Sequence, residues 1–247
     1  MNLCTDQLAM LLADPGQLVS VSHLALDPLS SAMVDAAQGY RINRGGAEQI
    51  YLMHPDLVLA GTYTSAAAVD LLRGLGVRVV QVPPVERLAD VGAQMRLIGA
   101  ELGHPERGAA MAQAFEAASA GIRSAGDPVP AAMYHPNGYT AGAGTLSDEI
   151  LQRTGFRNIG ATAGLTGGGV LPLERLVLAA PRVIVTSTPY PGASRSEEIL
   201  VHPALAALRA GAEGVQVRDA HWVCGTPFLM NAIRAMADTR AALEAGQ

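Results

Sequence analysis

Apolar positions at the start of the chain follow a helical spacing. Leu8, Leu11 and Leu12 recur at intervals of three and four residues in MNLCTDQLAMLL, which places them on one face of a helix. Asn2 or Thr5 would cap this helix, because Asn and Thr side chains accept hydrogen bonds from the first-turn amides. The pattern therefore predicts a helix at the beginning of the sequence.

Two longer stretches share one pattern of polar and apolar positions. EQIYLMHPDLVLAG (48–61) and ERLVLAAPRVIVTS (174–187) each run from Glu through a short helical segment to Pro and then into an apolar run. Each predicts a helix that ends before the proline and a buried strand that follows it. CTDQLAMLL (4–12) and LSDEILQRTG (146–155) form a second related pair. Such repetition predicts two α/β lobes of one design with mostly parallel sheets.

The repeat also predicts a strand for which the first lobe has no segment. In the second half, a predicted strand over 131–134 precedes the helix that begins at Leu146, whereas the matching helix of the first half stands at the start of the sequence. The first residues also lack the basic region of an export signal. We therefore expect this first strand of the N-terminal lobe, preceded by an export signal, upstream of Met1.

The middle of the chain predicts two helices in succession. Leu88, Val91, Met95 and Ile98 lie on one helical face, and Gly103 ends that helix. A second, longer helix is predicted from the HP pair at 104–105 to residue 126, because proline suits a first helical position. We accordingly divide the chain into an N-terminal lobe (1–103), a linking helix (104–126) and a C-terminal lobe (127–247).

Composition excludes several functions. Hydrophobic residues make up 49% and charged residues 16% of the chain, which suits a buried core and not disorder. The net charge is -5 and the basic residues are scattered, which argues against a nucleic-acid surface. All 17 basic residues are Arg, so neither a P-loop lysine nor a Schiff-base lysine is present.

These features together resemble the periplasmic substrate-binding proteins that capture iron complexes and cobalamin for ABC transporters. The segments that carry the resemblance are NLCTDQL, EQIYLMHPDLVLAG, LGHPERG, LERLVLAAPRVIV and DAHWVCGTP. The resemblance implies two Rossmann-like α/β lobes joined by one long rigid helix, with a ligand cleft between the lobes. It also implies a monomer without a cofactor, located in the periplasm or held as a lipoprotein at the outer face of the membrane. Its partners would be a ferric siderophore, haem or corrinoid, and an ABC permease with its ATPase subunits.

The resemblance also implies a set of ligand-binding residues, since loops at the carboxyl ends of parallel strands face a cleft. These residues are Asn2, Cys4, Thr5, His23, Tyr40, Tyr63, His135, Tyr139, Trp222 and Cys224. Trp222 is the sole tryptophan and offers a planar ligand a face for stacking. The structural alternatives are a core tryptophan, hydrogen-bonding histidines and half-buried tyrosines. Tyr134 and Tyr190 are further candidates for phenolate ligands to iron, and no residue is assigned to catalysis or to a resident metal.

Cys4 and Cys224 fall in opposite lobes under this division, and their spacing does not suit a structural zinc site. Buried inert thiols are the expectation. A disulfide is the alternative, and it requires Cα atoms closer than about 7 Å.

Acidic residues on each lobe dock the members of this class onto their permease. Glu197 and Glu198 suit that role in the second lobe, and Asp70 is the candidate in the first. Two other functions stay open: an enzyme on a chelatase-like two-lobe scaffold, such as a metal chelatase or hydrolase, and a receptor that does not transport.

Overall fold

The computed structural model describes residues 1–186 and 195–246, which divide into two compact units. The first unit consists of Met1–Val85, Ala89–Ala117 and Asp219–Leu229. The second unit consists of Glu86–Leu88 and the described parts of Ala118–Arg218 and Met230–Gln247. The two-lobe α/β architecture predicted from the sequence is confirmed.

The first unit contains two separate parallel pairs of strands with helices between them. Its strands are β1 (Ser20–Ser22), β2 (Arg41–Asn43), β3 (Leu57–Gly61) and β4 (Arg78–Val82). Its helices are α1 (Leu3–Leu12), α2 (Val34–Ala37), α3 (Ala47–Tyr51), α4 (Ala66–Gly74), α5 (Leu88–Glu101) and α6 (Pro105–Ala120), the last of which leads into the second unit. β1 pairs with β2, and β3 pairs with β4. The 3₁₀ turns are His23–Leu26 and Asp219–His221.

The second unit is built on one four-stranded parallel sheet. Its strands are β5 (Val129–Met133), β6 (Tyr139–Ala141), β7 (Phe156–Asn158), β8 (Gly168–Val170), β9 (Val183–Thr186) and β10 (Glu213–Gln216). Its helices are α7 (Leu146–Arg153), α8 (Ile159–Thr162), α9 (Leu173–Ala179), α10 (Pro203–Ala210) and α11 (Leu229–Ala245), with 3₁₀ turns at Pro136–Gly138 and Arg195–Val201. The sheet order is β10-β9-β5-β7, and β6 pairs with β8 in antiparallel fashion.

The two copies of the predicted repeat share a buried aspartate, which makes an equivalent hydrogen bond in each unit. In the first unit, Oδ2 of Asp6 on α1 accepts a hydrogen bond of 2.8 Å from the backbone N–H of Ser22 at the end of β1. In the second, Oδ1 of Asp148 on α7 accepts one of 3.0 Å from Nδ2 of Asn158 at the end of β7. Each carboxylate therefore joins its helix to the strand that follows.

Helices α5 and α6 pack at a pair of glycines, Gly99 and Gly108, whose Cα atoms come close together. The apolar face predicted for α5 is buried, with Val91, Met95 and Ile98 fully enclosed. Helix α6 ends at Ala120, before Gly121, and is shorter than the helix predicted to residue 126. Gly121 accounts for the early end, because glycine is unfavourable in a helix by about 1 kcal/mol relative to alanine.

The segment Asp219–Leu229 belongs to the first unit, whereas the sequence placed it in the C-terminal lobe. Cys4 and Cys224 form a disulfide with Cα atoms 5.1 Å apart, so the expectation of two inert thiols in opposite lobes is wrong. The backbone N–H of Ala220 also donates to the carbonyl of Leu29 at 2.9 Å. The disulfide and a backbone hydrogen bond thus hold the segment Asp219–Leu229 against the first thirty residues of the chain.

Candidate functional site

The carboxyl ends of β3 and β4 and the start of α1 surround a groove of about 110 Å³ in the first unit. We call it the β3–β4 groove. It is lined by Asn2, Cys4, Thr5, Gly61, Thr62, Tyr63, Val82, Pro83, Pro84, Val85, Gln94, Val223 and Gly225. Four of the predicted ligand-binding residues therefore lie together here, because the loops that follow parallel strands emerge on the same side of their sheet.

The amino end of α1 borders the groove and is closed by its own cap. Oδ1 of Asn2 accepts hydrogen bonds from the backbone N–H groups of Cys4 at 3.0 Å and Thr5 at 3.3 Å. The carbonyl of Asn2 accepts from the N–H of Asp6 at 2.9 Å and from the Thr5 hydroxyl at 2.9 Å. Free amides at a helix start bind anions readily. Here the amides of Cys4, Thr5 and Asp6 already have partners within the chain, so they are not available to hold an anion.

The lining of the β3–β4 groove is uncharged throughout its described residues. Tyr63 is 90% exposed at its edge, and Val223 is 57% exposed. An aromatic ring with so little support from the protein adds nothing to the core. It provides a surface on which a flat or apolar ligand can lie.

The loop after β4 contributes residues that the sequence analysis did not select. Pro83, Pro84 and Val85 line the groove, and the side-chain amide of Gln94 donates to the carbonyl of Pro83. Gly225 lies so close to Val85 that a side chain at that position would collide with it. Two prolines immediately after a strand are the sequence signal that would have indicated a stiff loop at the sheet edge.

Trp222 lies just after the 3₁₀ turn Asp219–His221, and its backbone N–H donates to the carbonyl of Asp219 at 2.9 Å. The residue is half-buried, so it is not enclosed in a core, and it is absent from the described lining of the β3–β4 groove. Burial, followed by the negative charge of Asp27, raises the pKa of the Asp219 carboxyl. The turn that carries Trp222 thus holds an acidic side chain in a poorly solvated position.

Two predicted residues of the first unit lie elsewhere. His23 is exposed at the start of the 3₁₀ turn that follows β1. Tyr40 packs against the buried cluster of Val21, Ala25 and Ala37. Neither side chain lines the β3–β4 groove: His23 follows β1, and Tyr40 directly precedes β2.

The predicted residues of the second unit lie around one turn after β5. His135 follows that strand, and its backbone N–H donates to the carbonyl of Tyr139 at 2.9 Å. Burial lowers the pKa of the His135 imidazole, which favours the neutral form. The Tyr139 ring lies against Gly168 of the neighbouring strand β8 and stays half exposed. Tyr134, in contrast, is fully buried, and its hydroxyl donates to the carbonyl of Leu171 at 3.3 Å.

Tyr190 lies outside the described residues. Glu197 and Glu198 lie on the 3₁₀ turn Arg195–Val201, where Glu198 is exposed, and Asp70 is exposed on α4. Over residues 1–186 and 195–246, no group of three or more His, Cys, Asp or Glu side chains is arranged to hold a metal ion. Within the same ranges no helix has the length and apolar character needed to cross a bilayer.

The family model described as "Periplasmic binding protein" matches residues 1–219. The chain therefore belongs to the periplasmic binding protein family. No curated protein matches it in sequence.

Solved structures of periplasmic proteins share the fold of this chain. The apo haem-binding protein RhuT from Roseiflexus sp. RS-1 superposes with a TM-score of 0.78 at 21% identity, over 97% of each chain. The vitamin B12-binding protein BtuF of Vibrio cholerae gives 0.71 at 17% identity, over 99% of this chain and 96% of its own. The molybdate-binding protein MolA of Haemophilus influenzae gives 0.71 at 17% identity, over 99% and 85%. The fold is thus that of these periplasmic binding proteins.

Proposed function

We propose that this protein is the substrate-binding component of an ABC importer and captures a metal chelate. The chelate is a ferric siderophore, haem or a cobalamin-type corrinoid, which the protein delivers to the permease and its ATPase subunits. The observation that carries the proposal is the uncharged β3–β4 groove with the exposed Tyr63 ring at its edge, in a member of the periplasmic binding protein family.

The chemistry of the groove supports a chelate over a free oxyanion. A small anion such as molybdate needs several hydrogen-bond donors or positive charges around it. The described groove lining has no charged side chain, and the Asn2 side chain already accepts from the amides of Cys4 and Thr5. A chelate instead surrounds its metal with an organic shell and presents a broad face, which suits aromatic and apolar contacts.

The ligand contacts that we propose extend beyond this groove. Trp222 is half-buried in the first unit, and Tyr139 is half exposed in the second. Both leave part of a ring available for stacking. His135 is the proposed imidazole contact, because a neutral imidazole can bind an exposed metal centre. Asn2, Cys4 and Thr5, which line the groove together with Tyr63, are further proposed contacts.

The Cys4–Cys224 disulfide supports the proposed location in the periplasm, or at the outer face of the membrane as a lipoprotein. Disulfides form and persist in oxidising compartments and are rare in the reducing cytosol. The bond joins residues separated by 220 positions in the sequence. It would therefore form late, once both ends of the chain have been exported.

Replacing Tyr63 with alanine is expected to weaken ligand binding without changing stability. The ring is 90% exposed, so its loss costs little packing, whereas loss of one aromatic contact should cost about 1 kcal/mol, or roughly fivefold in affinity. Haemin, cyanocobalamin and a ferric hydroxamate are titrated separately while Trp222 emission is followed, because these chromophores absorb where indole emits. Molybdate is titrated by calorimetry, since it does not absorb there.

Leu52→Ala is the matched control, because Leu52 is a 71% exposed apolar residue of the same unit outside the groove. It should leave affinity unchanged. If the Tyr63→Ala variant binds a chelate as tightly as the parent does, the β3–β4 groove is not part of the ligand site. Tight binding of molybdate alone would overturn the proposed ligand class.

Glu197 and Glu198 are expected to contribute to permease docking and not to ligand capture. Changing both to glutamine should leave chelate affinity unchanged and weaken binding to the permease complex in nanodiscs, more so at low than at high salt, because exposed charge pairs are screened by ions. Asp70→Asn tests the first unit in the same assay. A loss of chelate affinity in the double variant would contradict the assignment.

The permease-binding assay tests one alternative function, and an absorbance assay tests the other. A receptor that does not transport would bind the chelate without binding the permease complex. A chelatase-like enzyme would insert a divalent metal into a free tetrapyrrole, which an absorbance assay would follow.

A further inference from the structure

The carboxamide of Asn2 has an oxygen bound to α1 and an amino group that is not used within the protein. Its Oδ1 atom accepts from the backbone N–H groups of Cys4 at 3.0 Å and Thr5 at 3.3 Å. These two bonds assign the orientation of the amide, because only the oxygen can accept them. The Nδ2 atom therefore stands on the other side of the carboxamide, and among the described residues it donates to no acceptor.

Gly61, the last residue of β3, makes room for this amino group. A Cβ atom on Gly61 would lie 2.9 Å from Nδ2 and 3.2 Å from Cγ of Asn2, which is closer than a side chain tolerates. Asn2 and Gly61 both line the β3–β4 groove. The amino group is thus placed at the edge of the groove, and the helix cap fixes its direction before any ligand arrives.

The other side-chain donors that line the groove differ from that of Asn2. The Thr5 hydroxyl donates to the carbonyl of Asn2, and the Gln94 amide donates to a backbone carbonyl in the loop after β4. Thr62 and Tyr63 are exposed, and their hydroxyl hydrogens can turn about the C–O bond. Within the described lining, Asn2 is therefore the side chain whose donor is both fixed in direction and entirely unused.

A neutral donor in an uncharged groove suits a neutral acceptor. A ligand carboxylate would also accept from Nδ2, but it would lose hydration, and the described lining has no positively charged side chain to compensate. The carbonyl oxygen of an amide or hydroxamate costs much less to remove from water. Corrinoids carry such carbonyls in their side-chain amides and ferric hydroxamates in their chelating groups, whereas haem carries two carboxylates.

We infer that the Asn2 amino group selects chelates that present a neutral amide or hydroxamate carbonyl over chelates that present carboxylates. Asn2 is then a specificity-determining residue in addition to the cap of α1. Gly61 is a positioning residue that acts through Asn2. The inference rests on the proposed function and narrows its ligand class.

Asn2→Asp tests the donor separately from the cap. Aspartate has nearly the same shape and caps helices about as well as asparagine, so the variant should unfold at the thermal midpoint of the parent. It replaces the amino group with an oxygen that cannot donate. Cyanocobalamin, a ferric trihydroxamate and haemin are titrated separately by calorimetry. The parent should bind one of the first two more tightly than haemin, and Asn2→Asp should weaken that ligand by about tenfold or more.

Gln38→Glu is the matched control, because it adds the same negative charge at an exposed residue of the same unit outside the groove. It should leave affinity unchanged. Gly61→Ala adds no charge, and it should also weaken the preferred ligand, because the new Cβ atom displaces the Asn2 amide.

The outcomes separate this inference from the proposed function. If a chelate binds and Asn2→Asp binds it equally well, the inference is wrong and the proposed function stands. The same holds if haemin is the tightest ligand of the parent. If none of the three chelates binds the parent, the proposed function fails and the inference fails with it. The preferred ligand of the parent shows whether the carbonyl belongs to a corrinoid amide or to a hydroxamate.

Discussion

Removing the Cys4–Cys224 disulfide is expected to lower the free energy of unfolding by about 2–4 kcal/mol. The bond closes a loop across a sequence separation of 220 residues, for which the chain-entropy relation gives an upper value of about 5 kcal/mol. The double variant Cys4→Ser, Cys224→Ser is unfolded in guanidinium chloride and compared with the parent. The loss should be large, because the bond anchors Asp219–Leu229 to α1.

A reductant supplies the matched control for this prediction. Dithiothreitol should destabilise the parent by about the same 2–4 kcal/mol and leave the double serine variant unchanged. If the parent and the variant have the same denaturation midpoint in the absence of reductant, the disulfide does not contribute to stability. The segment would then be held by its backbone hydrogen bonds, such as Ala220 to Leu29.

Gly108→Ala is expected to lower the free energy of unfolding by about 2 kcal/mol, because overpacking a tight contact commonly costs 1–3 kcal/mol. A Cβ atom on Gly108 would lie 2.6 Å from the carbonyl oxygen of Met95 and 3.1 Å from the Cα atom of Gly99. Both neighbours are backbone atoms, so helices α5 and α6 would have to separate. Chemical denaturation measures the loss.

Gly74→Ala is the matched control, because it is also a glycine-to-alanine change in a helix but creates no close contact. Gly74 is the last residue of helix α4, and an added Cβ would meet no atom within 4 Å. Alanine should raise stability there by about 0.4–1 kcal/mol, because it restricts the unfolded chain. A rise in both variants would show that α5 and α6 do not approach as closely as the structure describes.

Local pattern was enough to predict most of the elements. The helix–proline–strand repeat predicted α3 with β3 and α9 with β9, and the spacing of Val91, Met95 and Ile98 predicted the buried face of α5. Asn2 was one of the two caps predicted for α1, and it is the one observed. These features depend on residues within one or two turns of each other, where periodicity and capping chemistry act directly.

The candidate site was predictable only in part. Asn2, Thr5 and Tyr63 follow strands or begin a helix at one sheet edge, and they lie together in the β3–β4 groove. His23 and Tyr40 have the same kind of local sequence but lie outside it. The sequence placed His23 and Tyr63 in loops after strands, whereas Tyr40 was selected through the resemblance alone. Local sequence does not show which loops lie side by side at the end of a sheet, because strand order is set by pairing between distant segments.

The sequence by itself determined the two-lobe α/β design, the repeat and the chemistry that the chain lacks, since these follow from composition and short-range pattern. The tertiary structure alone decided that Asp219–Leu229 returns to the first unit and that Cys4 meets Cys224. Contacts between residues far apart in the chain produce no local sequence pattern, because they depend on how whole helices and strands pack and pair.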